Sequence, residues 1–202
     1  MICNQPLRLL LPMALLCAAA NASIVFNFDG DSLGASTTFT DTVDGLSATF
    51  SSSADPGGFV VYPTMFETLT GNVLGDPGPA FADNLALDVG FSENLSAIEL
   101  DFATSDFITP SPFTVTAYEN SALVGSTTST GQFLSGFNFP EGEIAFAGAA
   151  FNQVVISSAA TDFAVDNINV NPTPEPGTLT SIGAGLLLLV IGSVRRRKAA
   201  RE

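Results

Sequence analysis

Between Ser23 and Val194 the chain has no lysine, no arginine and no histidine. Its basic residues are Arg8, Arg195, Arg196, Arg197, Lys198 and Arg201, and every acid except Glu202 falls inside the base-free span. The formal net charge of -14 therefore describes a polyanionic middle between two basic ends. Nucleic-acid binding needs cations to displace phosphate counterions, so the middle is not a nucleic-acid partner. Phosphate-bearing cofactors lack their usual Lys or Arg contacts for the same reason. A Ser-His-Asp triad, a Cys-His pair and a Schiff-base lysine are all impossible there, and the common histidine-containing zinc sites are excluded too. The two cysteines, Cys3 and Cys17, lie near the N-terminus, so the rest of the chain has neither a disulfide nor a thiol nucleophile. There is no tryptophan, and Tyr62 and Tyr118 are the only tyrosines.

The two ends are addresses rather than domain. Arg8 supplies a positive start, Leu9 to Ala20 is an apolar run interrupted by Pro12, and Ala20-Asn21-Ala22 is an A-x-A cleavage site. Residues 1–22 therefore read as a signal peptide for the Sec translocon, cut before Ser23. Cys17 at the end of an apolar run would suit a lipoprotein signal, but bulky Leu16 precedes it where a small residue belongs. At the other end, Pro172-Thr173-Pro174-Glu175-Pro176-Gly177 interrupts regular structure, because proline fixes φ and removes amide donors. Thr178 to Val194 follows without a charge. As a helix it would span about 26 Å, at the short end for a bilayer. Arg195-Arg196-Arg197-Lys198 then marks the cytoplasmic side, with residues 195–202 as a basic end.

Pro174-Glu175-Pro176, the apolar segment opening near Gly177-Thr178-Leu179 and the terminal cluster Arg195-Arg196-Arg197-Lys198 together resemble the PEP-CTERM sorting signal. The resemblance covers about the last 30 residues, with all three parts in the family's order. It implies processing by an exosortase, a membrane cysteine peptidase or transpeptidase, and delivery to the cell surface or extracellular matrix after transient anchoring. Read from spacing and hydropathy alone, the same tail is a plain membrane anchor behind a Pro-rich linker.

Residues 23–171 read as one all-β domain, a β-sandwich or jelly roll. Short stretches alternate with period 2, as in Ile24-Val25-Phe26-Asn27-Phe28-Asp29 and Ile98-Glu99-Leu100-Asp101-Phe102. Further strands are predicted at 46–51, 59–62, 85–89, 113–117, 123–126, 132–137, 152–157 and 163–170. Turn signals such as Asp55-Pro56-Gly57-Gly58 separate them. The seventeen phenylalanines, all between Phe26 and Phe163, would fill the space between sheets. The later half, around 94–102, 113–118, 151–156 and 163–168, resembles a recurrent jelly-roll module of exported proteins. Related jelly rolls include carbohydrate-binding modules, many with structural Ca²⁺ near the last strand.

Residue chemistry narrows the function further. Glu99 and Glu119 are the least implausible carboxylate pair for glycoside hydrolysis, but few aromatics accompany them. Calcium is the better-fitting ligand for the body, since Asp29-Gly30-Asp31 follows the first strand with oxygens at close spacing. Asp166 shares its alternation phase with Ile168 and Val170 and so is predicted to face inward. With no cationic side chain in the domain, backbone amides or a metal must satisfy it. Asp83-Asn84, Asp101 and Asp106 read as solvated acids. The sequence thus points to a non-enzymatic structural or adhesive surface protein, associated with exopolysaccharide or matrix proteins. A carbohydrate-binding module and a permanently anchored periplasm-facing binding domain are the alternatives.

Overall fold

The computed structural model describes residues 23–53, 57–76 and 85–173. The signal segment with Ala20 and Ala22, Asp83-Asn84, the Pro174-Glu175-Pro176 motif, the apolar stretch 178–194 and the basic cluster lie outside the described residues. Those described form strands and connections without a helix. The strands are β1 (Ile24–Phe26), β2 (Phe39–Val43), β3 (Leu46–Ser51), β4 (Val60–Pro63), β5 (Asn72–Gly75), β6 (Ala86–Thr104), β7 (Pro112–Glu119), β8 (Ala122–Thr130), β9 (Gln132–Phe133), β10 (Pro140–Ser158) and β11 (Phe163–Pro172).

Two strands belong to both layers of the sandwich. The first half of β6 pairs with β3 and with the end of β10, whose other side pairs with β7. The second half of β6 pairs with β11 and with the start of β10. One layer therefore runs β2-β3-β6-β10-β7-β8, and the other runs β4-β5-β11-β6-β10-β9. β1 continues the line of β5 along the same side of β11. Side-chain alternation records the crossing. Leu87, Val89, Phe91 and Leu95 are buried at odd positions of β6, and Ile98, Leu100 and Phe102 at even ones. The phase changes where the pairing register slips, since a bulge inserts one residue and turns the strand.

Phenylalanine rings join the two layers. Phe102 of β6 stacks on Phe113 of β7 with centroids 4.1 Å apart and planes 6° from parallel. Phe113 meets Phe163 of β11 edge to face at 5.3 Å, and Phe26 of β1 meets Phe50 of β3 edge to face at 6.3 Å. Each such ring contributes roughly 1.5–3 kcal/mol by burial and about 0.5–1.5 kcal/mol more by ring geometry. Two-residue turns close the β2–β3 and β7–β8 hairpins. Asp44 and Gly45 (φ 50° and 89°), and Asn120 and Ser121 (φ 48° and 70°), take the positive φ that matches strand twist.

The predicted strand 46–51 coincides with β3. The predicted strands 85–89 and 98–102 are one continuous strand, and 152–157 is the end of β10. β2 and β5 were not expected from the sequence. β2 is a half-exposed edge carrying Asp41, and β5 is four residues long between turn-forming neighbours. The expected strand 132–137 shrinks to Gln132–Phe133. Pro172 lies at the end of β11 opposite Leu95, so regular structure reaches one residue into the proline-rich segment.

Candidate functional site

Three carboxylates organise one end of the sandwich. The connection between β4 and β5 folds over the outer face of β11 and β6, where Leu69, fully buried, packs with Val73, Ala103 and Ala164. Its backbone amides point at acids. Glu67 N–H and Thr68 N–H donate to Glu141 Oε1 and Oε2 at 2.9 and 2.6 Å, and the Thr68 hydroxyl adds a third bond to Oε2 at 2.7 Å. Thr70 N–H donates to Asp166 Oδ2 at 3.0 Å, and Asn72 N–H to Asp29 Oδ1 at 2.8 Å. Glu141 and Asp166 are buried. In a domain without cationic side chains, amide N–H groups are the donors that keep such carboxylates from being orphaned.

Asp166 is buried on the face opposite to the one expected. Ala164 shares its side with Leu69, whereas Phe163 and Val165 face the main core. Asn167 has φ 50°, and the β11–β6 register slips between Asp166 and Asn169. The bulge restores Ile168 and Val170 to the main core and leaves Asp166 under Thr70. Strict alternation counted back from Val170 therefore assigns Asp166 to the wrong side. Burial pushes its carboxyl up to about 6; the amides of Thr70 and Asn167 oppose this, and the charges of Asp29 and Asp101 add to it.

The other expected ligands separate. Asp29 lies near Asp166 across the Thr70–Asn72 backbone, while Asp31 sits beside Asp41, its carboxyl raised first by burial and then by that charge. Among the described residues no three acidic, histidine or cysteine side chains converge to hold a metal. Asp29 and Asp166 accept backbone amides, and Asp31 lies apart beside Asp41, so the three expected ligands do not converge on one site among the described residues. Glu99 pairs not with Glu119 but with Glu143, whose carboxyl is raised by hydrogen bonding to Glu99 and then by its charge. Glu119 accepts from Asn94.

Asp101 and Asp106, read as solvated, both hold structure. Asp101 accepts Asn167 Nδ2–H at 2.9 Å. Asp106 accepts Ser111 N–H, the Ser111 hydroxyl and the Thr104 hydroxyl, each at 2.8 Å. This closes the loop that carries Phe107 and Ile108 outward, where they are 72% and 89% exposed.

Between these two pinned loops lies a cleft of about 200 Å³. Tyr62, Phe66 and Phe139 give it aromatic walls, and Asp76 and Asp162 line it with carboxylates. Phe139 bridges the loops, edge to face with Phe66 at 5.9 Å and tilted against Phe107 at 5.4 Å. Met65, 63% exposed, extends the apolar rim. Asp162 is pushed up to about 6, chiefly by burial and then by the charge of Asp76. Tyr62 is pushed up to about 12 by burial, then by Asp76 and Asp162, and stays a neutral hydroxyl. None of these residues stands in a local sequence pattern that marks a site. The cleft is assembled from five connections and the ends of β4, β6 and β11, which no local spacing brings together.

No family model matches the chain, and no curated protein matches it. Solved structures match by shape. The K2 cleaved adhesin domain of Lys-gingipain aligns with a TM-score of 0.51 at 12% identity, over 75% of this chain and 99% of that one. The K1 cleaved adhesin domain of Lys-gingipain from Porphyromonas gingivalis W83 gives 0.48 at 8%, over 76% and 99%. A carbohydrate-binding module from Cellvibrio mixtus lichenase 5A, solved with cellotriose, gives 0.33 at 13%, over 61% and 90%. At these identities the likeness is one of fold alone, and it rests on the K2 domain. The body is an all-β, jelly-roll-like sandwich of the kind seen there.

Proposed function

We propose that the sandwich is a non-enzymatic adhesive or structural component of an extracellular matrix, which contacts exopolysaccharide through the cleft between the Glu141-pinned and Asp106-pinned loops. The observation that carries this reading is the cleft itself. Aromatic faces at Tyr62, Phe66 and Phe139 offer stacking surface for sugar rings, and the Asp76 and Asp162 carboxylates offer acceptors for hydroxyl groups. The carboxylate–amide bonds that hold both loops shape the cleft without a ligand, which lowers the ordering cost of binding.

Export and sorting complete the proposal. The signal segment at 1–22 delivers the chain to the Sec translocon, the 178–194 segment holds it in the inner membrane, and an exosortase cuts near Pro174-Glu175-Pro176. The permanently anchored alternative keeps the same cleft and differs only in the fate of the tail. The test of the binding reading is a pull-down of the native protein by exopolysaccharide from its own cells. Phe66→Ala and Phe139→Ala variants should weaken retention while keeping the wild-type melting temperature within a few degrees. Retention unchanged in both variants would remove the cleft from the account.

A further inference from the structure

The charge of the cleft narrows what it accepts. We propose that it is a receptor for an ammonium group carried on a sugar ring, that is, for the free-amine residues of a partly deacetylated amino-sugar polymer. The inference rests on the glycan-binding reading above and adds the substrate class.

Among the described lining residues the ionisable groups are Tyr62, Asp76 and Asp162, all acids. No cationic side chain exists anywhere from Ser23 to Val194 to lend a counter-ion. A uronate, sulfate or phosphate group on a sugar would enter a low-dielectric cleft against two carboxylates and find no partner. Anionic polysaccharides are therefore rejected at this site.

Aromatic faces carry the negative side of the ring quadrupole, and walls of Tyr and Phe around a cation form the cage by which proteins hold ammonium groups. Here the rings of Tyr62, Phe66, Phe139 and Phe163 line a space that also presents Asp76 and Asp162. A neutral sugar uses the rings but leaves the partly buried acids to be neutralised by protons. An ammonium sugar uses both. A volume of about 200 Å³ is below the roughly 300–1,000 Å³ of sites for drug-sized ligands, which suits one ring and its amine rather than a length of chain.

Asp162 lies against Asp76 and Tyr62, and the mutual repulsion of the two acids, added to burial, favours a proton on Asp162 up to about pH 6. A bound ammonium replaces that proton, so binding strengthens as pH rises through this range while the sugar amine stays charged.

The experiment is calorimetric titration of the native, tail-processed protein with two oligosaccharides of equal length and linkage, one of glucosamine and one of N-acetylglucosamine. We expect the glucosamine oligomer to bind at least tenfold more tightly. Asp162→Asn should abolish most of that preference, and about 1 M salt should weaken it, as a partly exposed ion pair requires. A thermal melt confirms that the variant is folded, and Phe139→Ala, which keeps both acids, should weaken both sugars while leaving a preference for the glucosamine oligomer. Equal binding of both oligomers would overturn the ammonium inference and leave the glycan-binding reading standing. Binding of neither would overturn the ammonium inference, and retention on native exopolysaccharide would then decide the glycan-binding reading. Tighter binding of an oligolysine peptide than of the glucosamine oligomer would show a cation site for protein rather than sugar, and would overturn the assignment to a polysaccharide.

Discussion

Asp166 Oδ2 accepts the backbone N–H of Thr70 at 3.0 Å across a sequence separation of 96 residues, and this bond fixes the middle of the β4–β5 connection to the last strand. The same carboxylate takes Asn167 N–H at 2.7 Å through Oδ1. Glu141 and Asp29 grip the connection on either side of it. A polyanionic domain thus uses its acids as acceptors for its own backbone, and the loop held in this way supplies Met65 and Phe66 to the cleft.

Glu141→Gln and Asp166→Asn should each destabilise the protein by about 1–3 kcal/mol, since each replaces a charged double acceptor with a group that must turn an N–H toward a donor. Denaturant unfolding checks this. Wild-type stability in both variants would mean that the loop is held by Leu69 alone.

Gly71 has φ 67°, and a Cβ there would lie 1.8 Å from Asp29 Oδ1. Gly71→Ala should therefore lose stability twice, through the left-handed backbone and through displacement of Asp29 from Asn72 N–H. Asp29→Ala should recover part of the loss in the double variant, a non-additivity that a mutant cycle reads directly. Strict additivity would contradict the contact.

Stability should rise on mild acidification. Asp162 and Asp166 are both raised from an ordinary 3.8 to about 6 in the folded state. Between those values the folded chain binds more protons than the unfolded one, so stability falls as pH rises through this window and is greater below it. Melting at pH 5 should exceed melting at pH 7.5 by a few degrees, and Asp166→Asn should flatten the difference. A melting temperature that falls from pH 7.5 to pH 5 would contradict the burial of these acids.

Chelation should leave the melting temperature unchanged, because Asp29, Asp31 and Asp166 do not converge on one site among the described residues. A structural calcium held at a hundredfold its Kd would be worth about 2.7 kcal/mol, or roughly 5–10 °C in a chain of this size. A loss of that size with chelator would restore the calcium reading.

The tail makes its own prediction. Intact mass of the native protein should place the N-terminus at Ser23 and the C-terminus near Pro174–Pro176. A terminus at Glu202 in most molecules would mean a lasting anchor.

What the sequence disclosed followed period and composition. β3 and the alternation of Ile98, Leu100 and Phe102 were legible because each buries one face, and phenylalanine content announced a sandwich core. The absence of lysine, arginine and histidine also told correctly that Asp166 would need amides or a metal. Bulges defeated the finer reading. The one at Asn167 moved Asp166 to the opposite face, and those in β6 and β10 let single strands serve two layers. The cleft was invisible for a different reason. Phe66, Phe139 and Asp162 are loop residues with ordinary neighbours, and only the long-range grip of Glu141 on Glu67 and Thr68 brings the first two together.

The most direct test of the account is an amide and methyl chemical-shift map of the native protein titrated with its own exopolysaccharide. The account predicts perturbations concentrated at Tyr62, Met65, Phe66, Phe139 and Asp162, with the β8 edge and the Asp31–Asp41 end unmoved. Perturbations centred elsewhere, or none at saturating polysaccharide, would contradict the assignment of the cleft as the binding site.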